Sequence, residues 1–368
     1  MTGTLAGRLP SFPWDALRPA RQQALAHPDG IVDLSIGTPV DSVPQAVREA
    51  LAAAADAPGY PTADGSAALR EAAALWLARR HGVQVEPAAV LPLIGTKELI
   101  AALPTVLGCG PGDLVVHPAL GYPTYDVGAR LAGARPVATD SLLSLGPEQV
   151  ALAWVNSPSN PTGRVLGAEH LRKVVHWGRE RGTIVASDEC YIELGFEARP
   201  VSLLHPLACD GSHAGLLAVH SLSKRSNMAG YRAGLVTGDP ELIGALLEIR
   251  RHAGMLMPAP VQAAMIAALA DDGHADRQRA RYAARRATLR PALEAAGWVI
   301  EHSAAGLYLW ASHPGLDGWE SVRTLAKAGI LVAPGEFYGP AGTRHIRVAL
   351  TATDERIGAA AARLSALT

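Results

Sequence analysis

Along the first 220 residues the spacing of apolar positions alternates between helical and extended, and the changes of spacing mark out the elements. Residues 17–26 form an alanine-rich amphipathic stretch that predicts a short helix, closed by the turn residues Pro28-Asp29-Gly30. Residues 31–36 predict a strand, broken by Gly37-Thr38-Pro39. Residues 44–55 have helical spacing with a proline near the first turn, and residues 66–81 predict another helix. Beyond them, apolar segments of strand length at 90–94, 114–117, 151–156, 183–187 and 216–220 alternate with helical stretches. That alternation implies βαβ units and a mostly parallel sheet.

From residue 240 the texture changes. Long Ala/Arg/Leu helices are predicted over 241–251 and 260–295, followed by strand candidates at 298–301, 306–310 and 345–350. A second, α+β unit fits this texture, and no solenoid-period repeat or low-complexity linker interrupts it. The length of 368 residues also exceeds what one core usually serves.

With 49% hydrophobic and 18% charged residues, the chain has the balance of a globular protein, which excludes global disorder. Lys and Arg total 33 against 34 Asp and Glu, which leaves no basic stripe, so no nucleic-acid partner is expected. The longest apolar run, 255–270, is broken by Pro258, Pro260 and Gln262 and falls short of the roughly 20 residues that cross a bilayer. Residues 1–10 carry polar residues and glycine where a signal peptide has its apolar core. Cys109, Cys190 and Cys209 are odd in number and lack paired spacing. These features lead us to expect a soluble cytoplasmic protein without a membrane partner.

Candidate chemistry centres on Lys224, in Ser221-Leu222-Ser223-Lys224-Arg225-Ser226-Asn227, directly after the apolar stretch 215–220. A lysine forms a Schiff base well only when desolvation or nearby positive charge holds it unprotonated. Ser221 and Ser223 offer hydroxyls and Arg232 a planar fork of donors, a set suited to a phosphate beside the lysine. Asp188 ends the strand 183–187, at the carboxyl edge where α/β sheets bind ligands. A buried carboxylate there requires a cationic partner; a helix cap would also suit Ser-Asp-Glu after a strand.

Asn156-Ser157-Pro158-Ser159-Asn160-Pro161-Thr162-Gly163 is a proline-rich turn after a strand. Gly95-Thr96-Lys97-Glu98 opens a helix after a strand, so its N–H groups can face a phosphate and Lys97 can add a charge. Gly108-Cys109-Gly110-Pro111-Gly112 precedes a strand instead and reads as a helix stop. Arg347 alternates with apolar neighbours, as would either a bidentate carboxylate ligand or an outward strand position. No His-Glu-x-x-His helix, Gly-x-Ser-x-Gly elbow or paired metal-ligand cysteines occur.

Taken together, Lys224 in its serine-flanked motif, Asn160-Pro161-Thr162-Gly163, Asp188-Glu189-Cys190-Tyr191 and Arg232 resemble the class I/II aminotransferases, pyridoxal phosphate enzymes of fold type I. The similarity runs over nearly the whole chain. It implies an α/β fold with a large cofactor-binding domain, residues 40–250, whose mostly parallel sheet is flanked by helices. Residues 1–39 and 251–368 would together form a smaller α+β domain.

The resemblance also implies roles. Lys224 would carry the cofactor and shuttle the proton, and Asp188 would pair with the ring nitrogen. Tyr191 and Asn160 would hydrogen-bond the phenolate oxygen, and Tyr122 would stack on the ring. Thr96, Lys97, Ser221, Ser223 and Arg232 would surround the phosphate. Tyr60, in Gly59-Tyr60-Pro61-Thr62, would cross the interface of a homodimer to the neighbour's phosphate. Gly37, Asn160 and Arg347 would hold the α-carboxylate of amino-acid and 2-oxoacid substrates.

Within the family, residues 117–133 and 221–234 most resemble actinobacterial succinyldiaminopimelate aminotransferases of lysine biosynthesis, which implies glutamate as amino donor. Arg18, Arg250 and Arg251 are candidates, by charge, for the distal end of that substrate. Alternatives are another aminotransferase, of LL-diaminopimelate or aspartate type, or a C–S lyase sharing the cofactor site. A cofactor-sensing regulator would need an N-terminal DNA-binding domain, and only about 30 residues precede the strand at Ile31, against roughly 50 for a small domain.

Overall fold

The structure, a computed structural model, describes residues 5–367. The first four residues, part of the stretch weighed against a signal peptide, lie outside it, as does Thr368. A two-residue strand, β1 (Val32–Asp33), comes first. One sheet is then built from β2 (Val90–Ile94), β3 (Leu114–His117), β4 (Arg135–Ala138), β5 (Val150–Asn156), β6 (Ile184–Asp188), β7 (Leu216–Ser221) and β8 (Ala233–Gly238). The spatial order is β2-β8-β7-β6-β5-β3-β4. All neighbours from β7 to β4 run parallel, while β8 lies antiparallel between β7 and β2.

The mostly parallel sheet is thus as expected, but the sequence reading passed over β4 and β8. Each has a physical reason to be inconspicuous. β4 is an exposed edge strand, Arg-Pro-Val-Ala, without an apolar run, and β8 carries two glycines among its six residues. The inner strands are buried on both faces, so successive residues feed opposite cores. On β7, Leu216 and Ala218 join Trp76, Met265 and Leu269 on one side, while Leu217 and Val219 join Leu99, Leu103 and Tyr125 on the other.

The C-terminal part holds β9 (Val299–Glu301), β10 (Tyr308–Ser312), β11 (Ile330–Leu331), β12 (Ala333–Pro334) and β13 (His345–Ala349). Four of these form an antiparallel sheet in the order β12-β13-β10-β9, and β11 pairs instead with β1, so the N-terminal segment packs on the C-terminal part. The strand expected over 31–36 shrinks to Val32–Asp33. Its end is set by Ser35, whose N–H and hydroxyl both donate back to Asp33 Oδ1, at 3.0 and 2.6 Å. That turn leaves the carbonyls of Ser35, Ile36 and Gly37 to side chains from elsewhere.

The helix expected over 260–295 is two helices, Ala259–Ala270 and Asp272–Ala295. Asp271 separates them and caps the second by accepting from Gly273 N–H at 2.8 Å. The first packs Ala264, Met265, Ala268 and Leu269 into the same core as Val47, Leu69 and Ala73. These contacts place it with the seven-stranded sheet, so we propose that the domain boundary expected at 251 falls near Asp271.

The helix Ala259–Ala270 also anchors the segment around Lys224. Arg225 is buried, donates to the Ala268 carbonyl at 3.2 Å, pairs with Glu193 and lies 5.5 Å over the Trp76 ring. Glu193 receives Arg80 as well, at 2.9 Å. Glu193→Ala should therefore strand the Arg225 guanidinium in the core and lower unfolding free energy by about 3–5 kcal/mol, read from a urea or guanidinium transition. A loss below about 1 kcal/mol would show that the pair does not anchor this segment.

Candidate active site

The carboxyl ends of β5, β6 and β7 open into a cleft of about 570 Å³, which the segment before β1 and the face of β10 and β13 close from the other side. Every cofactor and α-carboxylate residue named from the sequence lines this cleft except Tyr60. Tyr60 stands 97% exposed on the surface of the single chain.

Lys224 lies in a single helical turn, Leu222–Arg225, whose start is capped by Ser221 Oγ accepting from Ser223 N–H at 3.1 Å. Its Nζ donates to the carbonyl of Gly37. Burial holds the amine below the ordinary lysine range; Tyr308 and Cys190 oppose that shift, and Arg347 and Arg232 reinforce it. The arrangement favours an uncharged amine.

Asp188 is the last residue of β6 and is buried. Its Oδ2 accepts from the Tyr125 hydroxyl at 2.7 Å and its Oδ1 from the Cys190 N–H at 3.1 Å. No helix follows until Pro206, so the helix-cap alternative falls. Burial pushes the carboxyl above its ordinary value, and the hydrogen bonds from Cys190 and Tyr125 only partly offset this. Among the described residues no cation pairs with it. The site therefore has an unmet demand for a cation at this end of the cleft.

Asn156, the first asparagine of the proline-rich turn, shapes the loop: its amide donates to the Asp188 carbonyl at 2.9 Å and its Oδ1 accepts from Asn160 N–H at 2.7 Å. Asn160 Oδ1 in turn accepts from Arg347 at 2.8 Å. Arg347 also donates to the Ser35 carbonyl at 2.8 Å, and its guanidinium lies 3.8 Å from the Tyr308 ring centre and 4.8 Å from that of Tyr338. Its Nε has no partner. The arginine is thus buried and points inward between two aromatic rings, against the outward alternative.

At the opposite wall, Gly95 adopts φ 88°, ψ 143°, open to glycine alone, just before the helix Thr96–Val106. A Cβ there would sit 2.0 Å from Arg232, whose guanidinium fills the space. Arg232, Ser221, Ser223 and the first N–H groups of that helix form a cradle suited to a phosphate. Lys97 lines the same cleft, its ammonium 5.9 Å from the Phe12 ring and 5.8 Å from that of Tyr122. Tyr122 lines the same wall.

Of the distal candidates, none lines the cleft. Arg250 is buried against Glu98 at 3.0 Å, Arg251 pairs with Glu248 at 3.4 Å on the surface, and Arg18 is exposed. Charge alone could not separate a structural arginine from a ligand-binding one. Conversely, sequence reasoning did not single out Tyr125, Tyr308, Phe12 or Trp14 as site residues. Tyr125 carried a signal in its three-residue spacing from Tyr122 at a helix start; Tyr308 carried none, since its role arises from strand pairing.

The chain matches the family model for aminotransferase class I and II over residues 29–364, and it belongs to that family. Its relatives include the 4-dedimethylamino-4-oxo-anhydrotetracycline transaminase OxyQ of Streptomyces rimosus, 63% identical over 97% of this chain and 99% of that protein. The probable aminotransferase Rv1178 of Mycobacterium tuberculosis is also 63% identical, over 99% of this chain and 87% of that one. Among solved structures, a probable N-succinyldiaminopimelate aminotransferase from Thermus thermophilus superposes with a TM-score of 0.85 at 29% identity, covering 97% of this chain and all of the other. The fold is that of a fold type I aminotransferase, and its cofactor is pyridoxal 5′-phosphate. The site fits that group: a buried anion lacking a cation at one end, a glycine-backed arginine cradle at the other, and an amine between them.

Gly95→Ala tests the cradle. The added methyl forces an unfavourable backbone and displaces Arg232, so cofactor affinity should fall roughly tenfold or more in an absorbance titration. Unchanged affinity would exclude Arg232 from the phosphate.

Proposed function

We propose that the chain exchanges an amino group between N-succinyl-diaminopimelate and 2-oxoglutarate, with glutamate as amino donor, as a cytoplasmic enzyme of lysine biosynthesis. The observation that carries the dicarboxylic preference is Lys97. Four cations line the cleft, Lys97, Lys224, Arg232 and Arg347. Lys224 is assigned to proton transfer, Arg232 to the phosphate and Arg347 to the α-carboxylate. Lys97, at the mouth, pairs with no carboxylate among the described residues, which leaves it for a distal one.

When bound, the cofactor supplies the electron sink for charge developing at the substrate Cα. The chain's residues do the rest. Lys224 Nζ, whose affinity for a proton burial lowers, is assigned to take the proton from Cα. Asp188 is assigned to the ring nitrogen, whose positive charge would favour its ionised form, while Tyr125 and Cys190 orient its oxygens. Tyr191 and Asn160 are assigned to the phenolate oxygen and Tyr122 to the ring face. Thr96, Ser221 and Ser223 join Arg232 at the phosphate. Arg347, fixed by Asn160, Ser35 and its flanking rings, presents a rigid fork to the α-carboxylate, next to the Gly37 backbone. We assign the exposed Tyr60 to the neighbour's phosphate in a homodimer.

A second reading has its own observation. Phe12, 57% exposed, and Trp14 line the mouth with ring centres 5.6 Å apart, and the Streptomyces relative is named for a 4-oxo-anhydrotetracycline. On this reading the acceptor is a flat polycyclic ketone lying on those rings.

A donor and acceptor screen on the holoenzyme separates the readings. N-succinyl-diaminopimelate should react fastest, with 2-oxoglutarate restoring the starting spectrum; a polycyclic ketone as preferred acceptor favours the second reading, and pyruvate release would indicate a C–S lyase. Free diaminopimelate, aspartate or an aromatic amino acid reacting better would overturn the succinyl assignment.

Arg347→Ala should weaken binding of glutamate and acceptor alike by roughly 2–5 kcal/mol, and Arg347→Lys should restore only part of it. Affinities close to wild type in Arg347→Ala would remove the arginine from the carboxylate site. Borohydride should fix the cofactor on the peptide containing Lys224; label on another lysine would refute that assignment.

A further inference from the structure

Tyr308 touches three of the groups assigned above and has itself no assigned part. It sits on β10 beside β13, buried, in the strand pair that carries Arg347. Its ring faces the Arg347 guanidinium at 3.8 Å. Its hydroxyl lies 3.1 Å from the Tyr191 hydroxyl, with the two ring centres 5.8 Å apart and steeply inclined at 72°. The same hydroxyl abuts Gly37, where a Cβ would come within 2.1 Å of it, and the Gly37 carbonyl is the acceptor for Lys224.

A phenol that donates into the cleft leaves its own oxygen to accept. If Tyr191 donates to an anionic oxygen of the cofactor, its lone pairs face Tyr308, and the short contact is satisfied only with Tyr308 as donor. Two phenols in series strengthen one another, because the first polarises the second. Burial pushes the Tyr191 phenol well above its ordinary range, so it remains a donor. The titratable and charged groups facing Tyr308 are Tyr191, Lys224, Arg347, Tyr122, Tyr282 and Tyr338.

We infer that Tyr308 is a positioning residue with two separable parts: its hydroxyl orients and strengthens the Tyr191 donor, and its ring holds the Arg347 fork flat. The inference rests on the assignments of Tyr191 and Arg347 proposed above. It goes beyond them by placing the donor strength of one and the rigidity of the other on a single side chain.

Two substitutions separate the parts. Tyr308→Phe removes the hydroxyl and keeps the ring, whereas Tyr308→Leu removes both. The readout for the hydroxyl is the pH midpoint of the absorbance change of the lysine-bound cofactor in the holoenzyme. A donor to an anionic oxygen favours the deprotonated form, so weakening it raises the midpoint. Tyr308→Phe should raise it by roughly 0.5–1 pH unit, the size of one hydrogen bond, with KM for 2-oxoglutarate near wild type. Tyr308→Leu should show the same shift and in addition a KM several-fold higher.

A cycle with Tyr191→Phe shows whether the hydroxyl acts through Tyr191. The double variant should match Tyr191→Phe alone. An unmoved midpoint in Tyr308→Phe, or shifts that simply add in the double variant, overturns the relay while leaving Tyr191 in place. An unmoved midpoint in Tyr191→Phe overturns the assignment of Tyr191 and the relay with it. Equal KM values in the Phe and Leu variants overturn the part given to the ring.

Discussion

The site is organised around one buried carboxylate. Asp188 ends the central strand of a sheet whose inner strands are covered on both faces, so the geometry that positions it also removes it from water. A carboxylate in that position either takes up a proton or finds positive charge. Tyr125 and Cys190 supply hydrogen bonds from one side and fix the direction of its oxygens, but neither supplies charge. The remaining demand faces the cleft. On the assignments proposed above, that demand would be met by the protonated ring nitrogen of the cofactor, with Lys224 and Arg232 lining the same cleft.

The second constraint comes from the far end of the sequence. Arg347 reaches the cleft because β13 pairs with β10, and one donor on each terminal nitrogen anchors it, to Asn160 from the loop after β5 and to Ser35 from the N-terminal segment. Gly37, two residues after Ser35, receives Lys224. The short β1 strand is therefore more than an edge ornament. By pairing with β11 it brings the carbonyls of Ser35, Ile36 and Gly37 to three side chains from two other segments, Arg347 and Thr351 at the C-terminal end and Lys224 after β7. Arg347 and Lys224 are in this way tied to one stretch of three consecutive residues.

The sequence made legible whatever is local or motif-borne. The inner strands announce themselves as continuous apolar runs, and Lys224, Asp188 and Asn160 sit in motifs specific enough to place them, so all three converge in the cleft. Features that depend on partners distant in sequence did not show. β8 lacks an apolar run because flanking strands, not its own side chains, bury it. Tyr308 has no local mark, since its neighbours lie 117 residues before and 39 after it on other strands and turns. Arg250 looked like a ligand-binding cation and is a structural one, paired with Glu98 across helices. The helix break at Asp271 was visible in principle, as an Asp-Asp-Gly cap signal inside an otherwise helical pattern.

The central claim is that Asp188 serves the ring nitrogen rather than the fold. It is tested most directly by following the single-turnover half-reaction of Asp188→Ala with glutamate by stopped-flow absorbance, beside its denaturant unfolding curve. Loss of the carboxylate should slow the half-reaction by several orders of magnitude, because the electron sink loses its counterion, while the unfolding transition stays close to wild type. A half-reaction at the wild-type rate would contradict the account.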